Sequence, residues 1–585
     1  MADVLPIPQQ DALPLEAATT STSSRPDAHT QRYDRQLRLW ASSGQTALEN
    51  ARVLVVGGNG TATQTLKNLV LPGIGHFTLV SPVTSTSASD LGTNFFLSPT
   101  SLNAPLAPSA VSHLLELNSD VSGNALVASP SDITEEQVGE HSLVILVDVE
   151  PPSEVTRIAE AAWRKRVPLL KVQSVGFFGT VRSQVEELCI VETHPESLVD
   201  LRVHAPFPAL LEYAHSFDYA KMDSAEHGHV PAVVILVKAL EEWKASHAGT
   251  SPTGTADRRA FVDSVLAQKR QSDEENFDEA VTLFRRAGTK ANVPPEVEAL
   301  FKDGECENVS AASSNFWLLL HSLRSFVRSP SNPSGLLPLS GALPDMKAHS
   351  STYVALQNLY KQKAREDRDE VRRLLNELCG RLGVEKGRIS DEELESFVKH
   401  AAWVRVVRGR RIAEEEKECA LKGKLGALLS AASFQTPPDI SLHIYASLRA
   451  ADAFHATHSR YPGILPPGGD DASDLEKDAV ELEGLARGLV KEWKGDEDWS
   501  MYGVEEEGVW EKLGEVCREI VRAPPTTTLP QTSALLGGIV AQEAIKLVTK
   551  QYVPLGTSLS SGGAKIGGET CVWDGVRSGT GIVDA

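Results

Sequence analysis

Apolar and polar positions near the N-terminus predict a strand, a helix and a second strand in immediate succession. Four aliphatic residues at 53–56 lead into a glycine cluster, an amphipathic stretch follows at 66–70, and residues 77–80 form a second apolar run. The continuous apolar run in "HSLVILVDV" (141–149) is typical of a buried parallel strand, and "VPLLKVQSVGFFGTVR" predicts a strand, a loop and a strand. The chain therefore begins with an α/β unit built on a parallel sheet.

The pattern changes to long helices between about residues 200 and 520. Apolar positions at helical spacing run through 351–383 and 389–407, and the second stretch opens with Ser390 and Glu393 in a capping-box arrangement. Loops rich in Gly, Pro and Ser are predicted at 244–258, 328–351 and 460–474. Near the C-terminus, a helix at 533–552 has small residues on one side, which would allow close packing against a sheet. "GGETCVWD" (567–574) is expected to be the last short strand.

Composition narrows the possible functions. The chain has 585 residues with a formal net charge of −21, which argues against binding to a nucleic-acid backbone. We find no apolar run long enough to cross a bilayer and no signal peptide, so we expect no membrane partner. The six cysteines form no CxxC pair, which makes a structural zinc site or a disulfide framework improbable. We therefore expect a cytoplasmic and nuclear protein.

The glycine loop after the first strand departs from the dinucleotide-binding pattern GxGxxG. Counted from Gly57, the second glycine position holds Asn59; counted from Gly58, the third position holds Thr63. A side chain at the second position stands where the phosphate should approach. Ser81 occupies the end of the second strand, where an acidic residue would hold the ribose. These observations favour a structural βαβ unit over a working nucleotide site.

Several motifs carry a resemblance to a known family. "QRYDRQLRLW" (31–40), "GQTALENARVLVVGG" (44–58) and "LKNLVLPGIG" (66–75) resemble the start of the adenylation fold of ubiquitin-activating-type enzymes. "THPESLVDLRVHAPFPALLEYAHSFD", "YVALQNLYKQKAREDRD", "WVRVVRGRRIAEE", "RYPG" and "LLGGIVAQEAIKLVTKQYV" resemble one branch of it, the regulatory subunits of the heterodimeric enzymes that activate the ubiquitin-like modifier of neddylation.

This resemblance implies the fold class and the domain organisation. We expect an α/β protein with a Rossmann-like, ThiF/MoeB-type adenylation domain that is degenerate and has no ATP site. A large, mainly helical insertion, similar to a catalytic-cysteine domain without the cysteine, would split this domain. The expected boundaries are a disordered tail at 1–29, the first part of the adenylation domain at 30–185, the insertion at 186–520 and the C-terminal part at 521–585.

The catalytic residues of an active half are missing from the matching positions. Thr93 stands where the resemblance would place an arginine, and the following segment, "SPTSLNAPLAPSA", has no basic residue. Asp148 lacks the continuation of a magnesium-binding aspartate and is better interpreted as an acid at the end of a strand. Cys306 and Cys419 lie among glutamates, and none of the six cysteines has the context of a catalytic thiol. We therefore expect no complete active site and no cofactor in this chain, with ATP and magnesium bound by a partner subunit.

The resemblance also implies what this chain contributes. Arg35 is expected to reach the partner's ATP phosphates in trans, with Arg32 and Arg38 as near alternatives. The other interpretation is a solvated amphipathic helix in which Leu37 and Trp40 pack on the core. "DSAEHGHVP" (223–231) is interpreted as a surface loop. Residues expected at the interface with the partner are Arg32, Arg38, Thr63, Lys67, Asn68, Ser224, His227, Pro338, Pro344, Asp345 and Met346.

The resulting functional hypothesis is a non-catalytic regulatory subunit. Its expected partners are the catalytic subunit, which performs ATP-dependent adenylation and thioester formation, and the ubiquitin-like modifier. The alternatives are a regulatory subunit for the sumoylation modifier, a scaffold that contributes nothing to the active site, and an autonomous nucleotide-binding enzyme.

Overall fold

The computed structural model describes residues 27–193, 200–287, 292–415, 421–465, 471–523, 529–559 and 565–584. The strands are β1 (Arg52–Val56), β2 (His76–Ser81), β3 (Ser122–Val127), β4 (Leu143–Val147), β5 (Leu169–Val175), β6 (Phe178–Gln184), β7 (Glu187–Val191), β8 (Val404–Arg408), β9 (Thr557–Leu559), β10 (Lys565–Gly567), β11 (Thr570–Asp574) and β12 (Gly579–Val583).

The helices are α1 (Ala28–Arg32), α2 (Asp34–Glu49), α3 (Gly60–Val70), α4 (Ala88–Thr93), α5 (Leu106–Leu115), α6 (Glu135–Gly139), α7 (Pro152–Arg164), α8 (Pro208–His215), α9 (Ser224–His227), α10 (Ala232–Ser246), α11 (Thr255–Leu266), α12 (Glu275–Ala287), α13 (Pro295–Leu300), α14 (Gly304–Glu307), α15 (Asn315–Val327), α16 (Ser350–Leu382), α17 (Asp391–Lys399), α18 (Ile412–Glu415), α19 (Leu425–Ser433), α20 (Ser441–His458), α21 (Asp471–Lys494), α22 (Glu506–Arg522) and α23 (Pro530–Thr549). Short 3₁₀ turns lie at Pro99–Ser101, Pro130–Asp132, Tyr219–Lys221, Ala401–Trp403 and Trp499–Tyr502.

The larger sheet has the order β12-β11-β6-β5-β4-β1-β2-β3 across the described strands. Strands β3, β2, β1, β4 and β5 are parallel, and β6, β11 and β12 add antiparallel pairs at one edge. β1 shows why both faces are covered: Val53 and Val55 pack towards α3, α5 and α23, while Leu54 and Val56 pack towards α7. This arrangement confirms the predicted α/β class with a largely parallel sheet.

A smaller sheet, β7-β8-β10-β9, joins distant parts of the chain. β7 follows the larger sheet directly and pairs antiparallel with β8, more than two hundred residues later. The segment 389–407 is therefore not one helix, as its spacing had suggested. α17 ends at Lys399, and β8 begins at Val404. β8 is rich in β-branched valine and pairs with β7 on one side and with β10 on the other.

Three further apolar cores lie in the helical part. One joins α8, α10, α11, α12 and α16; the second joins α13 to α17 with β7 and β8; the third joins α19 to α22 with the β6 and β11 edge of the larger sheet. α16 ends at Gly383 in the left-handed conformation (φ 72°), as a glycine after a helix predicts. Ser390 caps α17 by accepting from the Glu393 backbone N–H, but the predicted capping box is only half formed, because the Glu393 carboxylate accepts from Asn315 instead.

The C-terminal region returns to the larger sheet and differs in two details from the prediction. The helix with small residues is α23, and it packs chiefly on α3 rather than only on a sheet. β11 contains "TCVWD" but is followed by β12, so it is not the last strand. Most of the predicted tail at 1–29 lies outside the described residues, whereas Asp27 already caps α1.

Candidate functional site: a closed nucleotide crevice and an exposed arginine

The crevice at the carboxyl ends of β1 and β4 is the place where an open α/β sheet would hold a nucleotide, because the strand order reverses there. Gly57 leaves β1 with φ 114°, and a Cβ atom there would lie 2.1 Å from the Val147 carbonyl oxygen. This glycine is therefore required by the turn itself. Its presence says nothing about phosphate binding.

The N-terminal end of α3, which would face a phosphate, is occupied by the chain's own side chains. Asn59 caps the helix by accepting from the Ala62 backbone N–H at 3.1 Å, and its Nδ2 donates to Asp148 Oδ2 at 2.6 Å. The Ser174 backbone N–H donates to Asp148 Oδ1 at 2.7 Å, and the Ser174 hydroxyl also donates to this carboxyl group. The Asn59 side chain thus occupies one backbone N–H group at the start of α3 that an anion would otherwise bind.

The remaining sides of the loop are covered as well. A Cβ on Gly58 would meet Leu106 at 2.6 Å and the Ser81 side chain at 2.8 Å, so α5 fills the space where a ribose would lie. Asn94 donates to the Gly58 carbonyl at 3.2 Å and accepts from Thr63 at 2.8 Å. The predicted structural βαβ unit is consistent with this closed geometry.

Asp148 lies at the end of β4 as the sequence suggested, and hydrogen bonds from Asn59 and Ser174 hold its carboxyl group. Burial raises its pKa to about 7, against the opposing effect of the hydrogen bonds from Ser174 and Asn59. The sequence pointed to Asn59 through its place in the glycine loop. It did not reveal Ser174, Asn94 or Leu106, because each reaches the loop from a different strand or helix.

We expect Asp148→Asn to flatten part of the pH dependence of stability. The folded-state pKa lies above the unfolded value, so the folded chain binds the extra proton between about pH 4 and 7, and this contribution to stability is lost as the pH rises through 7. Urea unfolding at pH 5 and pH 8 should show a loss of about 2–3 kcal/mol in the wild type that Asp148→Asn removes. Asp263→Asn, at an exposed position of α11, is the control. An unchanged pH difference in Asp148→Asn would contradict the assignment.

A shallow cleft lies beside Asp148, between the ends of β4 and β5 and helix α20. Lys171, Gln173, Asp452 and Tyr461 supply its polar lining. Lys171 Nζ lies 3.7 Å from Asp452 Oδ2, and Gln173 Nε2 donates to the same carboxylate at 3.2 Å. Within the described residues, no group of three or more His, Cys, Asp or Glu side chains could hold a metal ion.

The five cysteines within the described ranges lack the environment of a catalytic thiol. Burial raises the pKa of Cys306, Cys517 and Cys571 to about 11, and it also raises the pKa of Cys189 and Cys379. Thiolate chemistry needs the opposite shift. The pKa of Cys306 is raised mainly by burial, and the neighbouring Glu307 adds only a small effect. The sequence had instead pointed to the glutamates around this cysteine. Cys419 lies outside the described residues.

The segment that begins α2 is fixed at both ends. The Tyr33 hydroxyl donates to Asp120 Oδ2 at 3.1 Å and accepts from Asn118 Nδ2 at 3.0 Å. Trp40 Nε1 donates to Gln45 Oε1 at 3.0 Å, and α2 departs from helical geometry at Trp40 and the following residue. Both aromatic rings are buried, so the intervening turn is held against the sheet domain.

The three arginines of this segment differ in their contacts. Arg32 forms an ion pair with Asp120 at 2.6 Å, and Arg38 forms one with Asp34 at 3.0 Å. Arg35 is exposed and makes no hydrogen bond or ion pair with any part of the chain that the structure describes. A guanidinium on an anchored helix without an internal partner is available to a ligand outside the chain.

The predicted interface residues fall into two groups. Thr63, His227 and Pro338 are buried within this chain, which corrects their assignment to a partner-facing surface. His227 also corrects the loop interpretation: it ends α9, and its Nδ1 lies 2.8 Å from Glu274 Oε1. The remaining positions are at least partly exposed to solvent, and their place at the interface stays a prediction; they are Arg32, Arg38, Lys67, Asn68, Ser224, Pro344, Asp345 and Met346.

Within the described helices, none is long and apolar enough to span a membrane.

Comparison with known proteins places these features in a family. Residues 33–562 match the ThiF family. The chain is 35% identical to the NEDD8-activating enzyme E1 regulatory subunit of Xenopus laevis, covering 89% of this chain and 95% of that protein, and 35% identical to that of Danio rerio, covering 90% and 95%. It is 31% identical to the NEDD8-activating enzyme E1 regulatory subunit AXR1 of Arabidopsis thaliana, covering 91% and 94%. The chain therefore belongs to the ThiF family and, within it, to the NEDD8-activating enzyme E1 regulatory subunits.

Proposed function

We propose that this chain is the regulatory subunit of a heterodimeric enzyme that activates a NEDD8-type ubiquitin-like modifier, and that it contributes Arg35 to the active site of the catalytic subunit. The partner would bind ATP, magnesium and the modifier. The relatives carry the neddylation name, so the sumoylation alternative finds no support.

The observation that carries the proposal is the contrast between a closed crevice and an exposed arginine. Asn59 and Asp148 fill the crevice of this chain, which argues against ATP activation by the chain alone. Arg35 stands on a segment fixed by Tyr33 and Trp40 and has no partner among the described residues. A regulatory subunit that completes a neighbouring site would have these two properties together.

Exposed apolar side chains in the segment that follows α3 and α4 support a docking role. Phe95 is 81% exposed immediately after α4, and Leu71 and Leu102 are also exposed. Large exposed apolar groups are typical of surfaces that another protein covers. Leu71 directly follows α3, whose half-buried Lys67 and Asn68 were predicted to face the catalytic subunit.

The chemistry of adenylation explains the use of an arginine. Attack of a carboxylate on the α-phosphate of ATP builds negative charge on the phosphate oxygens and on the departing pyrophosphate. A guanidinium supplies a permanent, planar and bidentate countercharge. Because Arg35 is placed before the reaction starts, it stabilises the transition state without reorganisation.

ATP–pyrophosphate exchange tests the functional assignment. We expect no exchange with this chain alone, even with ATP, magnesium and modifier, and exchange when the catalytic subunit is added. Size-exclusion chromatography would verify that the two chains form a complex. Exchange by this chain alone would refute the closed crevice, and exchange by the catalytic subunit that is indifferent to this chain would refute the regulatory role.

A further inference from the structure

A second cleft lies between the β5, β6 and β11 edge of the larger sheet and helices α18 and α20. It shares Lys171 and Gln173 with the larger cleft beside Asp148. Its lining joins sheet residues to residues of the helical part that are far away in sequence. The side chains of Lys171 and Arg449 are 16% and 20% exposed, so solvent reaches the cleft near them.

The register of the sheet brings two cations together. Lys171 on β5 pairs with Arg182 on β6, and Arg182 pairs with Thr570 on β11. All three side chains line the same cleft. Like charges directly opposite each other on adjacent strands repel, and the repulsion is strong here because Arg182 is only 3% exposed.

One carboxylate serves two of the arginines that line the cleft. Glu415 at the end of α18 forms an ion pair with Arg182 Nε. Its other oxygen accepts from the Tyr445 hydroxyl and lies 3.8 Å from Arg449 Nη1. Arg449 Nη1 also donates to the Tyr445 hydroxyl at 3.1 Å. Glu415 therefore balances only one of the two guanidinium charges.

The other acids nearby are already engaged. Asp452 lies 3.7 Å from Lys171 Nζ and balances that charge. Arg410 approaches the cleft beside Arg182, but it is paired with Asp584 at 2.6 Å. Lys171, Arg182 and Arg449 in the lining thus face Glu415 and the adjoining Asp452, which together carry one charge fewer.

Side-chain donors without a hydrogen-bond partner indicate where an anion would bind. Arg182 Nε donates to the Gly568 carbonyl at 3.0 Å, whereas its Nη1 and Nη2 have no hydrogen-bond partner among the described residues. The buried Thr570 hydroxyl also has none there. Burial lowers the pKa of Arg182, the direction expected for a cation that is removed from water without full compensation. Unpaired buried donors of this kind are costly, and a bound ion can satisfy them.

We propose that this cleft binds a small oxyanion of the phosphate class. Two oxygens of the anion would accept from Arg182 Nη1 and Nη2, and the Thr570 hydroxyl and Arg449 would complete the site. The bound anion would neutralise the excess charge and hold α18 and α20 against the sheet.

Phosphate titration of the full chain tests the site. In chloride buffer of matched ionic strength, inorganic phosphate should raise the Tm in a saturable way, and calorimetry should give one site. A parallel titration with glucose 6-phosphate distinguishes two sources of the anion. If glucose 6-phosphate binds more tightly than inorganic phosphate, the natural ligand is a phosphorylated metabolite; if it binds equally or more weakly, the natural ligand is free phosphate.

Three variants locate the binding. Arg182→Gln and Arg449→Gln should each weaken phosphate binding at least tenfold, whereas Arg164→Gln, at an exposed ion pair on α7, should bind as the wild type does. Arg449→Gln keeps the test valid if Arg182→Gln does not fold, because Arg449 lies nearer the solvent. A Tm rise no larger than in chloride, or phosphate binding retained in both Arg449→Gln and any folded Arg182 variant, would overturn the proposal.

Discussion

Arg35→Ala should lower ATP–pyrophosphate exchange by the reconstituted heterodimer by about 10²–10³-fold, a loss typical of removing one preorganised group that stabilises transition-state charge. The effect should fall mainly on kcat, because the countercharge matters most when the α-phosphate becomes more negative. Arg35 is exposed, and its replacement removes no side-chain hydrogen bond or ion pair within the described residues. The measurement is exchange at saturating ATP and modifier.

Two further variants separate charge from structure. Arg35→Lys should recover part of the rate, since it keeps the charge and loses the bidentate geometry. Arg164→Ala removes an exposed arginine of α7 and should leave exchange within about threefold of the wild type. If Arg35→Ala forms the heterodimer and exchanges at the wild-type rate, the chain is a scaffold that contributes no group to the active site.

Much of the sheet was predictable because its signals are local. Residues 53–56 and 143–147 are continuous apolar runs. Such short runs predict strands that are buried on both faces of a parallel sheet. β8 was missed because Val404 follows an amphipathic helix without a glycine or proline between them. Its identity as a strand depends on β7, and that pairing is long-range.

The site was predictable only in part, and for the same reason. Asn59 marked the glycine loop as unusual, but its carboxylate partner, Asp148, is 89 residues away. The polar sequence around His227 suggested a surface residue. In the structure His227 is buried and its ring contacts the carboxylate of Glu274, 47 residues further along the chain. Arg35 was singled out by resemblance, since its own sequence context is also that of a solvated helix. Local composition does not encode contacts between polar groups on distant elements.

Gly537→Ala should destabilise the chain by about 3 kcal/mol, whereas Gly538→Ala should leave it as stable or slightly more stable. The two glycines are neighbours in α23. A Cβ on Gly537 would lie 2.7 Å from Gln64 Cβ and 2.9 Å from the backbone of α3, which is too close for the helices to keep their spacing. A Cβ on Gly538 meets no atom within 4 Å.

The pair isolates packing from helix propensity. Both changes remove the same conformational freedom and gain the same intrinsic preference for a helix, about 0.5–1 kcal/mol in favour of alanine. Only Gly537 lies where α23 and α3 touch, so the difference between the two variants measures the cost of separating these helices. Chemical denaturation monitored by circular dichroism provides the measurement. Equal stability of the two variants would mean that α23 does not rest on α3 through Gly537, and the close joining of the C-terminal segment to the glycine-loop helix would need another explanation.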